Sequence, residues 1–218
     1  MLVTHLRPST RWLDLGCGHQ IAPWWILQER PDFLKSVKLA VGCDRHELSL
    51  RGHASFHRRV LCDITRTGFR SQTFNLVTLN MVAEHLPDPA AAFREIARLL
   101  EPGGLAIIHT PNRKNYQSRI ARLMPQRTKN ALLRALNEIP AEDVFPTFYR
   151  VNTEKRLRAE AARAGLEVVE LRMVNTTTKL KVIPLLAVFE FAWVRLLETE
   201  ALRSQRADII AVLRKREL

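Results

Sequence analysis

Gly16 and Gly18 stand one residue apart in "WLDLGCGHQ", directly after an apolar run that carries Asp14. A strand that breaks into such a turn lets backbone come close to a ligand. Dinucleotide sites of the GxGxxG type need a third glycine for close packing of helix on strand. Ile21 occupies that position, which argues against NAD or FAD. No Gly-Lys-Ser/Thr follows, so the loop is not a phosphate-cradling P-loop either. An adenosine-type cofactor lacking phosphates fits what remains. Asp44, thirty positions after Asp14, closes a second apolar run, where a carboxylate can accept both hydrogen bonds of a ribose diol. Asp63 closes a third run and can accept from the exocyclic amine of adenine, and Asn80 lies near the end of a fourth.

The elements that would position these residues are short apolar runs with helical segments between them. The runs are 11–17, 37–44, 58–64, 74–82 and 105–110, then 166–174 and 208–214 after the last crossover helix. Several are apolar on both faces, the mark of parallel strands covered by helices, so the chain reads as α/β. Asp88 followed by Pro89 predicts an N-cap with a first-turn proline, and Gly103 in "EPGG" a helix stop. A second helix is expected between a Thr153 cap and Gly165. Ligands of open α/β sheets bind outside the carboxyl ends of the strands, where the four candidate features fall together.

The motifs "LDLGCG", "VGCD", "LCDI", "FNLVTLNMVAEHLPDP" and "LLEPGGLAIIHTPN" resemble those of class I, seven-strand methyltransferases that use S-adenosylmethionine. The likeness is greatest to the small-molecule branch with the ubiquinone- and menaquinone-biosynthesis enzymes, and it covers roughly residues 10 to 174 plus the terminal strand pair. It implies a doubly wound, Rossmann-like, mostly parallel sheet of order 3-2-1-4-5-7-6, the last strand antiparallel, with helices on both faces. By the same resemblance Asp14, Gly16 and Gly18, with Cys17 between them, line the methionine end of the cofactor. Asp44 holds the ribose, Asp63 and the backbone of Ile64 meet the adenine, and Asn80 lies near the methionine portion. Gln20 departs from the family, whose loop has glycine there. The sequence begins about ten residues before the first strand, so either its start is truncated relative to the family or a substrate lid is expected from 115–139 or 182–203.

Methyl transfer is an in-line displacement, helped by positioning and, for a poorly nucleophilic hydroxyl, by a base. His85 in "AEHLPDP" is the first expected base or substrate contact, because an unperturbed imidazole titrates near neutrality. His109 in "IIHTPN" is the second, and Glu84 either orients His85 or faces solvent. Tyr149, Arg150 and Asn152 in "TFYRVNT" are in reach of an acceptor, the arginine suiting an anionic one. No Asp/Asn/Ser-Pro-Pro-aromatic tetrad follows the fourth strand and no Pro-Cys nucleophile is present, which disfavours two nucleic-acid branches of the family. The expected acceptor is a small molecule, methylated at oxygen and lipid- or glycan-linked in one version. RNA is the alternative acceptor, and a non-catalytic cofactor-binding scaffold the alternative role.

The bulk numbers suit one domain over residues 1–218, with helical insertions at about 113–145 and 180–205: 46% of residues are hydrophobic and 26% charged. A net charge of +12 draws the chain toward nucleic acid or anionic membrane if it gathers on one face. The apolar stretch Val182 to Val194 carries Glu190 and is shorter than the roughly 20 residues a spanning helix needs. Beside Lys179 and Lys181 it suggests peripheral contact with a membrane surface, with packing on the core as the equal alternative. No signal-peptide pattern opens the sequence, so a cytoplasmic location is expected. Cys17, Cys43 and Cys62 form no CxxC pair and have no zinc-ligand spacing, so reduced thiols and no metal are expected. The segment 115–139 reads as an amphipathic helix broken at Pro125, with Ile120, Leu123, Leu132, Leu133 and Leu136 on the core.

Overall fold

Seven strands form one sheet in the order β3-β2-β1-β4-β5-β7-β6. The structure, a computed structural model, describes residues 2–19, 34–53, 55–123, 145–175 and 184–217. The strands are β1 (Arg11–Leu15), β2 (Leu39–Asp44), β3 (Arg58–Leu61), β4 (Phe74–Asn80), β5 (Leu100–Pro111), β6 (Leu166–Val174) and β7 (Asp208–Lys215). β1 to β5 pair in parallel, and β7 runs antiparallel to both β5 and β6. This is the expected order and the expected late strand pair. Expectations that rest on Gln20, Ile21, Lys179, Lys181 and the helix beyond Leu123 lie outside the described residues.

The central strands are buried on both sides because helices cover both. On one face Leu13, Leu15, Val77, Leu79 and Ile108 pack under Phe93, Ile96 and Leu99 of α3 (Pro89–Leu99) and Leu157 and Ala161 of α5 (Glu154–Arg163). On the other, Trp12, Leu76, Ile107 and Val212 meet Phe56, Leu50 of α2 (Glu47–Arg51) and Leu2 of α1 (Leu2–His5). Burying one such aromatic or aliphatic side chain stabilises by about 1.5–3 kcal/mol.

The helix punctuation holds in two places and fails in one. Asp88 caps α3 by accepting from the Ala91 amide at 3.0 Å, and Thr153 caps α5 by accepting from Arg156 at 3.3 Å. Gly103 does not stop α3. The chain swings to extended backbone at Leu100, and Gly103 lies inside β5 at φ +75°, where the register with β4 slips between Phe74↔Leu100 and Leu76↔Leu105.

Two further expectations are corrected. Cys43 and Cys62, read as free thiols, are joined in a disulfide, because the adjacent parallel ends of β2 and β3 bring their Cα atoms to 6.1 Å. Ile120 on α4 (Tyr116–Leu123) was assigned to the core and is instead exposed. The polar face of α4 turns inward at this point: Ser118 is buried, and the Tyr116 hydroxyl donates to the buried Glu190 carboxylate of α6 (Pro184–Leu197). Among the described residues no helix is long and apolar enough to cross a membrane.

Candidate functional site

The glycine loop leaves β1 and is tied at once to the neighbouring strand. The Gly16 and Cys17 amides both donate to the Cys43 carbonyl, at 2.7 and 3.0 Å. Gly16 has φ +74°, and a Cβ there would lie 2.5 Å from Val82 in the turn after β4, so the loop can be tight only with glycine. Gly18 has φ +57°, and its missing Cβ would meet nothing within 4 Å among the described residues. Its amide donates to Asp44 Oδ2 at 2.9 Å, while the His46 amide donates to Oδ1 at 2.9 Å. An ionised carboxylate has about four acceptor positions, and among the described residues these two amides fill two of them. A left-handed glycine turn beside an acidic side chain is the setting in which an adenosyl cofactor is expected.

Asp14 lies buried next to this loop, accepting from the Thr78 hydroxyl, which in turn accepts from Trp12 Nε1 at 2.7 Å. Burial pushes its carboxyl up to about 7, against the Thr78 hydrogen bond and with help from the nearby Asp44 charge. Cys17 is buried too, and burial beside the Asp14 and Asp44 carboxylates pushes its thiol well up, so it is an unreactive packing group. Asp63 does not end β3, which stops at Leu61. It sits in an exposed turn where Oδ1 accepts from the Thr65 amide at 2.7 Å and hydroxyl at 2.6 Å, holding its carboxyl below the usual range. Ile64 beside it is half-buried.

A second group of side chains gathers at the ends of β4 and β5. Asn80 and His109 are register partners, and His109 Nδ1 lies 2.7 Å from Asn80 Oδ1. Because an amide oxygen only accepts, Nδ1 donates. On the far side of the ring, Nε2 is 3.7 Å from Asp208 Oδ2. Sequence reasoning missed Asp208. The signal lay in the antiparallel direction of β7, which brings the first residue of "DIIAVLR" to the carboxyl edge of the sheet.

His85 occupies a short 3-10 turn, Ala83–His85, after β4. Its Nδ1 donates to the Pro146 carbonyl at 2.8 Å, which fixes the lone pair of the neutral ring on Nε2. Glu84 Oε1 lies 3.9 Å from that nitrogen. Glu84 does not face solvent: it is buried, burial raises its carboxyl above the ordinary value, and Oε2 accepts from the Thr110 hydroxyl at 2.9 Å.

The "TFYRVNT" segment is structural more than was expected. Asn152 is buried, its amide donating to Thr110 Oγ1 at 2.6 Å and to the Pro111 carbonyl at 3.0 Å, so it is turned from an acceptor. Tyr149 is buried at φ +51°, its amide and that of Phe148 sharing the Glu84 carbonyl at 3.2 and 2.8 Å. Arg150 donates to the Pro87 carbonyl at 2.5 Å. The fold thus brings Asp14, Gly16, Cys17, Gly18 and Asp44 into one cradle. Asp63 and Ile64 stand on its β3 side, and Asn80, His85 and His109 on its β4–β5 side.

Comparison with known proteins agrees with this geometry. A family model described as a methyltransferase domain matches residues 2–171. The chain is 30% identical over 111 residues to a ubiquinone biosynthesis O-methyltransferase of Neisseria meningitidis, covering 47% of this chain and 44% of that protein. It is 26% identical over 136 residues to a demethylmenaquinone methyltransferase of Mycobacterium marinum, covering 61% and 52%. The chain therefore spans about half the length of these curated relatives. Among solved structures, an S-adenosylmethionine-dependent methyltransferase of Methanosarcina mazei superposes with a TM-score of 0.62 at 14% identity, over 100% of this chain and 97% of that one. One from Mesorhizobium loti gives 0.62 at 15% identity, over 98% and 94%. With a family match over most of its length, the chain belongs to the methyltransferase domain family, and its sheet has the strand order expected of a class I member.

Proposed function

We propose that this chain transfers a methyl group from S-adenosylmethionine to a hydroxyl oxygen of a small-molecule acceptor, with His85 as the base. The observation that carries the reading is the His85 Nδ1–Pro146 carbonyl bond, which leaves Nε2 as a proton acceptor 3.9 Å from the Glu84 carboxylate. The cofactor supplies an electrophilic methyl group. The chain supplies the rest: Gly16 and Gly18 give room for the methionine end, Asp14 lies beside it, and Asp44 accepts from the ribose hydroxyls. Asp63 Oδ2 and the Ile64 backbone are assigned to adenine. His85 Nε2 takes the hydroxyl proton, and the buried Glu84 favours the imidazolium that results. His109, held through Nδ1 by Asn80 with Asp208 beside its ring, orients the acceptor at the β5 end. Tyr149, buried and pinned through its backbone, shapes the wall.

The oxygen acceptor is favoured by the O-methyltransferase named among the relatives, and a base is needed most by a hydroxyl. Incubation with S-adenosylmethionine and a panel of hydroxylated quinone-type small molecules, read as a gain of one methyl by mass, tests the reading. Label transferred to total RNA and to none of the small molecules would replace it with an RNA-directed activity. Binding of the cofactor with no transfer to either would leave a scaffold.

A peripheral membrane contact belongs to the same proposal. Val188 and Phe191 of α6 are 65% and 59% exposed, Leu196 and Ile120 are also exposed, and Arg119 on α4 and Arg195 on α6 are exposed as well. Exposed apolar side chains with cationic residues on the same helices suit an anionic lipid surface. Val188→Asp with Phe191→Asp should abolish flotation with anionic liposomes, and a wild-type chain that does not float would remove this part.

A further inference from the structure

The segment 145–149 crosses the cradle in a direction that the sheet order makes informative. On one side, the Phe145 ring meets the turn after β2: its centroid is 5.8 Å from the His46 ring at 77° and 5.4 Å from Arg45 Cζ. On the other side it is 6.1 Å from the His85 ring at 78°, in the turn after β4. In the sheet β1 lies between β2 and β4, so a ring that touches both turns lies over the end of β1. That end is the glycine loop, and Asp44, whose carboxylate holds both Gly18 and His46, is the neighbour of Arg45.

The two ends of this segment are fastened differently. Toward β4 the chain is bonded through backbone and carbonyls: His85 to Pro146, Phe148 and Tyr149 to the Glu84 carbonyl, and Arg150 to the Pro87 carbonyl. Tyr149 in the left-handed region marks the tightest point of that anchorage. Toward β2 the contacts are ring against ring and ring against guanidinium. His46 is itself a fixed wall, its Nδ1 2.9 Å from the hydroxyl of the buried Ser49. A half-buried phenyl ring held by apolar contact can swing while the anchored residues stay in place.

We propose that Phe145 is a cover on the cofactor: its ring closes over the adenosyl portion and sets how fast cofactor and demethylated product leave. The inference rests on the cofactor site assigned above and adds to it a residue outside the strand-end motifs. A cover of this kind shields the ribose contacts of Asp44 from water, which strengthens them, and acts alike on the charged cofactor and its neutral product.

The test is stopped-flow or surface-based measurement of S-adenosylmethionine and S-adenosylhomocysteine dissociation from the full chain, wild type and Phe145→Ala. The expected result is a dissociation rate raised about tenfold for both ligands, with affinity weakened to match. The melting temperature of the ligand-free chain should be unchanged, and Phe145→Trp should restore slow release. Unchanged release from Phe145→Ala, or tighter binding because the ring fills the cofactor's own volume, overturns the cover. A wild-type chain that binds neither ligand overturns the cofactor site itself, and the cover with it.

Discussion

The Asp44 carboxylate takes the Gly18 amide on one oxygen and the His46 amide on the other, each at 2.9 Å. One side chain therefore sets the position of the glycine loop and the direction of the turn that follows β2, before any ligand arrives. Asp44→Ala should weaken S-adenosylmethionine binding by about 10- to 100-fold, the cost of losing hydrogen bonds to a charged group. The ligand-free chain should also melt lower, since two amides lose their acceptor. Titration calorimetry and thermal melts check the pair, and an affinity equal to wild type would show that Asp44 organises the loop and touches no ligand.

On the proposed site, Asp14 should make cofactor binding depend on pH. Its carboxyl is raised from the ordinary 3.8 to about 7, so the folded, ligand-free chain holds a proton there across most of the acidic range. A cationic ligand favours the ionised form, so affinity should climb as pH rises toward 7 and flatten above it. Below 7, binding should release a proton, seen as a buffer-dependent heat in calorimetry. The sign for stability follows from linkage. Between 3.8 and about 7 the folded state binds the proton more tightly than the unfolded state, so this group's contribution to stability falls as pH rises through that window. Asp14→Asn should abolish both effects and melt higher than wild type at pH 8.

His85→Asn separates chemistry from binding. The asparagine amide can still donate to the Pro146 carbonyl, so the segment that carries Phe145 stays in place, while the proton acceptor at Nε2 is gone. Turnover should fall by roughly 10²- to 10⁴-fold with cofactor affinity within about twofold of wild type. Full turnover in this variant would move the base to another residue, and equal losses in both measurements would deny the division of roles.

The disulfide between Cys43 and Cys62 is countable. Alkylation in denaturant without reductant should modify one cysteine, Cys17, and three after reduction. Closing a loop across a sequence separation of 19 should stabilise the chain by about 3 kcal/mol, lost on adding a dithiol reductant. Three modified cysteines in the unreduced chain would return these residues to the thiols that their spacing suggests.

The parallel strands could be read from the sequence because residues covered on both faces are apolar at nearly every position, and β1 and β4 are the plainest cases. The caps at Asp88 and Thr153 were readable because each satisfies amides three residues away, a wholly local matter. Gly103 misled for the same local reason. A glycine after a helical pattern resembles a stop, while the true end at Leu100 is set by pairing with Phe74, 26 positions earlier. Asp63 was placed one element too early, since nothing in "LCDI" marks where pairing with β2 ceases.

The sequence by itself determined the α/β class and the glycine turn, because strand-end chemistry and hydrophobic period are written along the chain, while the sheet order followed from the resemblance of its motifs to those of a known family. Only the tertiary structure decided which polar groups share the site. Asp208 comes to His109 because β7 runs backwards, Glu84 and Asn152 withdraw into a buried network around Thr110, and Phe145 reaches from β2 to β4 across the loop. Each of these pairings joins residues far apart in the chain, and what brings them together is the crossing of strands and the packing of side chains, which spacing along one segment does not encode.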